Sequence, residues 1–229
     1  MIRRAYHKLK KILNPRIIRH DSTGERVDII YSHEIEFETL DIYQKSHYRR
    51  YEFAVDMIDS NDICGDFACG TGYGTVMLSK KSSQVIGADI NVEVITSIKK
   101  RYTKFKNIEF KNANLLDLNY NSIFNTVVSF ETIEHFSEED IPKLFAIFYK
   151  SVKQNGRLIF STPYMQEESK AALEMGHHLT FYINEEKIER WLYDAGFIVE
   201  SYIYQNYETH ALQKVIDKKD FILCVAMKN

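Results

Sequence analysis

The sequence predicts a single α/β protein with a mostly parallel sheet covered by helices on both faces, and three observations carry that prediction. A short apolar run at residues 63–67 turns through Gly70, Gly72 and Gly74 and opens into a helical pattern starting at Thr75. A second apolar run, residues 84–90, contains an acid near its end, Asp89, about 20 residues past the glycines, the spacing of a strand–turn–helix–strand unit in an open sheet. Apolar runs at residues 107–110, 126–130 and 158–161 then alternate with helical periodicity at residues 92–102, 138–152 and 184–195.

The bulk properties bound the class. With 229 residues, 45% hydrophobic and 13% aromatic, the chain has enough apolar material for one domain with a substantial core. No apolar run reaches the roughly 20 residues that a membrane-spanning helix needs, and none forms a secretory core, so a cytoplasmic protein is expected. Cys64, Cys69 and Cys224 have no C-x-x-C spacing and sit in or beside strand-like runs, which predicts reduced core thiols.

Charge is uneven. Residues 1–20 carry +7 with no acid, leaving −9 on the rest of a chain whose net charge is −2. An acidic body argues against nucleic acid as the partner. Ile2, Tyr6, Leu9 and Leu13 recur at helical spacing among the basic residues, a pattern that suits either an anionic membrane surface or a packed extension. We therefore divide the chain into a basic extension, residues 1–33, and a domain, residues 34–229. Oligomeric state is left open.

Helical periodicity over residues 34–60 places His47, Arg50 and Tyr51 on one face. The run Asp66-Phe67-Ala68-Cys69-Gly70-Thr71-Gly72-Tyr73-Gly74 follows. Glycine allows a tight turn and a close backbone approach, so this run reads as a ligand cradle, with a plain strand-to-helix turn as the alternative. Its spacing is not the G-x-G-x-x-G of a dinucleotide site, and it puts an acid ahead of the glycines. Asp89 stands where an open sheet presents a carboxylate to ribose hydroxyls.

Past the fourth strand comes Glu131-Thr132-Ile133-Glu134-His135. A helical turn here would bring Glu131, Glu134 and His135 onto one face, where two carboxylates and an imidazole repel unless a cation or a proton sits between them. Such a set suits magnesium or manganese. The alternatives are a solvated helix start, or His135 acting alone as a general base.

The run D-x-A-x-G-x-G resembles motif I of the class I S-adenosylmethionine (SAM) dependent methyltransferases. That resemblance implies a Rossmann-like sheet of seven strands in the order 3-2-1-4-5-7-6. It implies that Asp66, Ala68, Gly70, Thr71, Gly72 and Tyr73 hold the methionine end of SAM, under a helix that offers Arg50 and Tyr51. Asp89 and Ile90 then serve the ribose side, Asn114 and Leu115 the adenine, and Phe130 is a further cofactor-binding candidate. Asn114 replaces the acid common at its position; its amide oxygen still accepts a hydrogen bond from the adenine amino group.

The resemblance sharpens with H-x-x-R-Y, A-C-G-T-G-Y-G, F-E-T-I-E-H and S-T-P, together with a His-aromatic stretch at residues 177–182. It is similar to the ubiquinone-pathway O-methyltransferases, to the small-RNA 3′-terminal 2′-O-methyltransferases, and most fully to short methyltransferases encoded with bacterial polysaccharide genes. It implies methyl transfer to a hydroxyl of a sugar, nucleotide-sugar or glycan. His135, Glu134 and His178 are the catalytic candidates, and Glu131, Glu134, His135 and His178 are the candidate ligands of Mg2+ or Mn2+. Residues 163–183 form an insertion that shapes the acceptor pocket. Methylation of RNA ends and an idle SAM-binding protein are the competing readings.

Overall fold

The structure is a computed structural model that describes residues 27–29, 31, 35–170 and 178–229. The basic segment at residues 1–20 and His177 lie outside the described residues, as do the expectations attached to them.

Helix α1 (Ile42–Asp56) opens with a capping box, in which Gln44 N–H donates to Asp41 Oδ1 and Asp41 N–H donates to Gln44 Oε1, each at 2.9 Å. Then follow β1 (Ile63–Phe67), α2 (Tyr73–Ser79), β2 (Gln84–Asp89), α3 (Val92–Arg101) and β3 (Ile108–Asn112). Asn91 caps α3 through its side-chain oxygen, a device that polar residues supply just before a helix. Beyond β4 (Phe124–Phe130) and α4 (Ile141–Ser151) lies a long β5 (Val152–Pro163). The chain ends with α5 (Glu185–Ala195), β6 (Ile198–Gln205), β7 (Leu212–Gln213) and β8 (Phe221–Met227). No described helix is long and apolar enough to cross a membrane.

The sheet has eight strands in the order β3-β2-β1-β4-β5-β8-β6-β7, which corrects the expected seven. The additional strand is a two-residue edge, Leu212–Gln213, paired with Tyr204 and Gln205. Two residues carry no periodicity, so the strand exists only because the chain folds back after β6. Without it the order is the expected 3-2-1-4-5-7-6. Strands β1 to β5 are parallel, and β8 runs antiparallel between β5 and β6. Strand β5 is also longer than residues 158–161, because Val152 already pairs with Phe124 at the end of α4.

Side-chain alternation along β5 and β8 divides the interior into two cores. Ile159, Leu223 and Val225 face α1, α2 and α3, whereas Leu158, Phe160, Ile222, Cys224 and Ala226 face α4 and α5. Each large apolar side chain buried in this way contributes roughly 1.5–3 kcal/mol. All three cysteines are free and buried, as expected. Chain order reverses between β1 and β4, so a cleft opens at the carboxyl ends of those two strands, the usual place for a ligand in an open α/β sheet.

Candidate functional site

The cleft is lined first by the turn after β1. Ala68, Gly70 and Gly72 all take left-handed backbone angles, with φ of 63°, 50° and 76°. Gly70 N–H donates to Asp89 Oδ2 at 3.0 Å, and Asn91 N–H donates to Asp89 Oδ1 at 2.8 Å, so the acid at the end of β2 sets the shape of the loop. The three glycines have different surroundings. A Cβ at Gly70 would meet nothing within 4 Å, one at Gly72 would lie 3.1 Å from the Phe110 ring, and one at Gly74 would lie 2.0 Å from Tyr51 Cζ. Gly70 therefore faces open space, while the other two let neighbouring rings close in. Thr71 Oγ1 donates to the carbonyl of Val27 and anchors the segment before α1.

Asp66 lies behind this loop, fully buried, and accepts from Tyr51 Oη at 3.0 Å and Thr75 Oγ1 at 2.6 Å. Burial raises its pKa to about 6 from the usual 3.8, against the pull of those two hydroxyls. Tyr51 packs edge-on to Tyr73 and Phe130, so four of the expected cofactor residues form one closed cluster. At the ends of β2 and β3, Ile90 is 64% exposed. Nearby, Asn114 Oδ1 accepts from Leu116 N–H and caps a short 3-10 turn over the buried Leu115.

Arg50 and Glu131 meet on the same face of the sheet. Arg50 is fully buried; its Nε donates to Gln205 Oε1 at 2.7 Å, its Nη1 lies 3.0 Å from Glu131 Oε1, and its guanidinium stacks 4.0 Å from the Phe221 ring. Arg50 Nη2 has no hydrogen-bond partner among the described residues. Glu131 Oε1 also accepts from Ser161 Oγ at 2.7 Å, and Glu131 takes a left-handed φ of 48°. This corrects the expected helical turn. Glu131 is held by Ser161 and by Arg50 of α1, whereas Glu134 is fully buried beside Thr162 and still feels the charge of Glu131.

Glu131 consequently leaves the expected metal set, and three residues remain together. Glu134 and His135 lie on a 3-10 turn, Ile133–His135, and one ligand atom from each of Glu134, His135 and His178 falls within 4.8 Å of the others. The two imidazoles meet edge to face at 5.0 Å. His178 Nδ1 is 2.6 Å from Gln166 Oε1, and with the amide in this orientation Nδ1 carries the proton and Nε2 the lone pair. Both carboxylate oxygens of Glu134 are buried with no hydrogen-bond partner among the described residues. Burial, and then the charge of Glu131, push the Glu134 pKa well above the usual carboxylate range.

The strand-like segment carrying His178 is docked through backbone groups: Leu179 N–H and Thr180 N–H both donate to the carbonyl of Glu134, at 2.7 and 3.1 Å, and Thr180 Oγ1 donates to Phe136 O. Gln166 and Gln205, which orient His178 and Arg50, carry no signal in the sequence. Each is a lone polar residue whose partner lies on a distant segment.

Comparison with known proteins bears on the fold that carries this site. Residues 65–156 match a family described as a methyltransferase domain, a span that runs from β1 into β5. A Mycobacterium tuberculosis protein named "probable S-adenosylmethionine-dependent methyltransferase" is 26% identical over 132 residues, covering 57% of this chain and 46% of its own length. Phosphoethanolamine N-methyltransferase 1 of Arabidopsis thaliana is 30% identical over 99 residues, covering 42% of this chain and 20% of that protein. The chain thus spans about half the length of the first relative, at 46%, and a fifth of the second, at 20%. The solved structure of geranyl diphosphate methyltransferase in complex with SAM superimposes with a TM-score of 0.67 at 16% identity, over 84% of this chain and 89% of that one. The fold is the Rossmann-like fold of class I methyltransferases.

Proposed function

We propose that this chain transfers a methyl group from SAM to a hydroxyl of a sugar, nucleotide-sugar or glycan, with Glu134, His135 and His178 handling the acceptor. The observation that carries the acceptor site is the buried Glu134 carboxylate, unpartnered among the described residues and gathered with two imidazoles at the carboxyl end of β4. A buried polar group with no protein partner is costly unless a ligand or proton completes it.

The residues fit the cofactor. Gly70 faces open space, Asp89 lies at the end of β2 beside the exposed Ile90, and Arg50 Nη2 is a buried donor suited to a carboxylate. Bound SAM supplies an electrophilic methyl for in-line displacement, so the protein's task is positioning and removal of the hydroxyl proton. Asp89 takes the ribose hydroxyls, the loop backbone at Gly70 to Gly72 takes the methionine end, and His135 or His178 takes the proton.

A divalent cation on Glu134, His135 and His178 is the second reading, favoured by ligand atoms that all lie within 4.8 Å of one another. One carboxylate and two imidazoles suit manganese better than magnesium, which prefers an all-oxygen shell. Such an ion lowers the pKa of a bound hydroxyl.

Calorimetry tests the cofactor. SAM binding in the micromolar range is expected, weakened strongly by Asp89→Ala and by Gly70→Val, and unchanged affinity in both variants would sink the assignment. Tritium transfer from labelled SAM into glycan, small-molecule amine and RNA fractions identifies the acceptor. Label in RNA would select the RNA-end reading, label in an amine would select N-methylation, and SAM binding without label in any fraction would mark an idle binder.

A further inference from the structure

Three large apolar side chains are exposed on the two segments that carry Gln166 and His178. Met165 is 43% exposed, Leu179 60% and Tyr182 44%, although Ile183, next to Tyr182, is buried. Their backbones hold them there. Met165 N–H donates to the carbonyl of Ile183 and Tyr182 N–H to that of Gln166, which pairs the segment leaving β5 with the one returning from His178. Each takes a left-handed backbone angle, φ 51° for Met165 and 52° for Tyr182, unusual for residues other than glycine and maintained by that pairing. Leu179 follows His178 directly and is tied to the Glu134 carbonyl.

We infer that Tyr182, Met165 and Leu179 form a recognition rim that stacks the apolar face of a neutral sugar ring, leaving one ring hydroxyl directed into the Glu134–His135–His178 cluster. This deepens the proposed function and rests on it. The centre of the rim is polar, made of an acid, two imidazoles and the Gln166 amide, so an alkyl chain would cover the buried Glu134 carboxylate, which has no hydrogen-bond partner among the described residues. A pyranoside meets both demands, with C–H groups for the aromatic ring and hydroxyls for the cluster. A phosphorylated acceptor would call for available cations. Among the described residues, Lys187 is engaged with Glu138 and the Phe181 carbonyl, and Lys219 with Glu185 and the Tyr204 ring.

Saturation-transfer NMR on the full chain, with and without S-adenosylhomocysteine, tests the rim. The probes are methyl α-D-glucopyranoside, methyl α-D-mannopyranoside and methyl β-D-galactopyranoside, compared with phosphoethanolamine and 1-octanol. Transfer to the ring C–H protons of at least one glycoside is expected. It should fall at least about five-fold in Tyr182→Ala and more modestly in Met165→Ala, and persist in Tyr182→Trp, with melting temperatures unchanged because both side chains are exposed. Absence of transfer to every glycoside overturns the rim, as does an undiminished signal in Tyr182→Ala or stronger transfer to 1-octanol or phosphoethanolamine. Failure to bind S-adenosylhomocysteine overturns the cofactor reading instead, and the arm without it still decides the rim.

Discussion

Arg50 Nη1 lies 3.0 Å from Glu131 Oε1, an ion pair between α1 and the turn after β4 in which the cation is wholly buried and the acid is 15% exposed. The pair joins the helix that precedes the glycine loop to the turn that leads from β4 to Glu134 and His135. With Gln205 and Phe221, it also ties α1 to β6 and β8. Removing one partner of a buried pair leaves the other charge uncompensated, at a cost of roughly 3–5 kcal/mol. Arg50→Ala is therefore expected to lower the melting temperature by about 10 °C. Glu131→Gln, which keeps an oxygen for Ser161 and Arg50, should cost less. Thermal denaturation followed by circular dichroism decides this, and equal melting temperatures for Arg50→Ala and the parent would show the pair to be dispensable.

Substituting the glycines separates binding from folding. A Cβ at Gly70 has space, so Gly70→Ala carries only the strain of a left-handed alanine, about 1–2 kcal/mol, but places a methyl group in the cleft. Gly74→Ala instead drives a methyl group into the Tyr51 ring. SAM affinity should suffer most in Gly70→Ala and stability most in Gly74→Ala. The reverse ranking in paired calorimetry and melting experiments would contradict the assigned surroundings.

Asp66 makes stability depend on pH. Its folded pKa of about 6 exceeds the ordinary 3.8, so the folded state holds a proton that the unfolded chain has already released. Its favourable contribution is complete below about pH 4 and is lost as pH rises through about 6, a change of roughly 3 kcal/mol. Urea denaturation at pH 4 and pH 7 should show the parent losing about that much more than Asp66→Asn does. Parallel pH profiles for the two proteins would exclude Asp66 as the source.

Chelation distinguishes the two readings of the acceptor site. With a cation on Glu134, His135 and His178, excess chelator should abolish methyl transfer while leaving SAM affinity intact, manganese should restore it, and Glu134→Gln should be nearly as damaging as His135→Ala. Turnover that persists in chelator would leave an imidazole as the base, with His135→Ala then the dominant loss.

Much of this protein follows from local sequence. The spacing of Gly70, Gly72 and Gly74 after a short apolar run, the acid at Asp89 and the alternation of strand and helix patterns all operate over a few tens of residues. Turn geometry and side-chain periodicity act over that same range, so the strand–turn–helix unit around Gly70 was legible without coordinates, while the sheet order was what the family resemblance implied. The fates of Glu131 and Glu134 were not legible. They are three residues apart, yet Glu131 is held by Arg50 of α1 and by Ser161, about thirty residues away on β5, while Glu134 is buried with His135 and His178. Likewise Arg50 finds Gln205 at a separation of 155 residues, His178 finds Gln166 at a separation of 12, and the two-residue β7 exists only as the edge of β6. A side chain's partner is decided by which distant segments pack against it, and that information belongs to the tertiary structure alone.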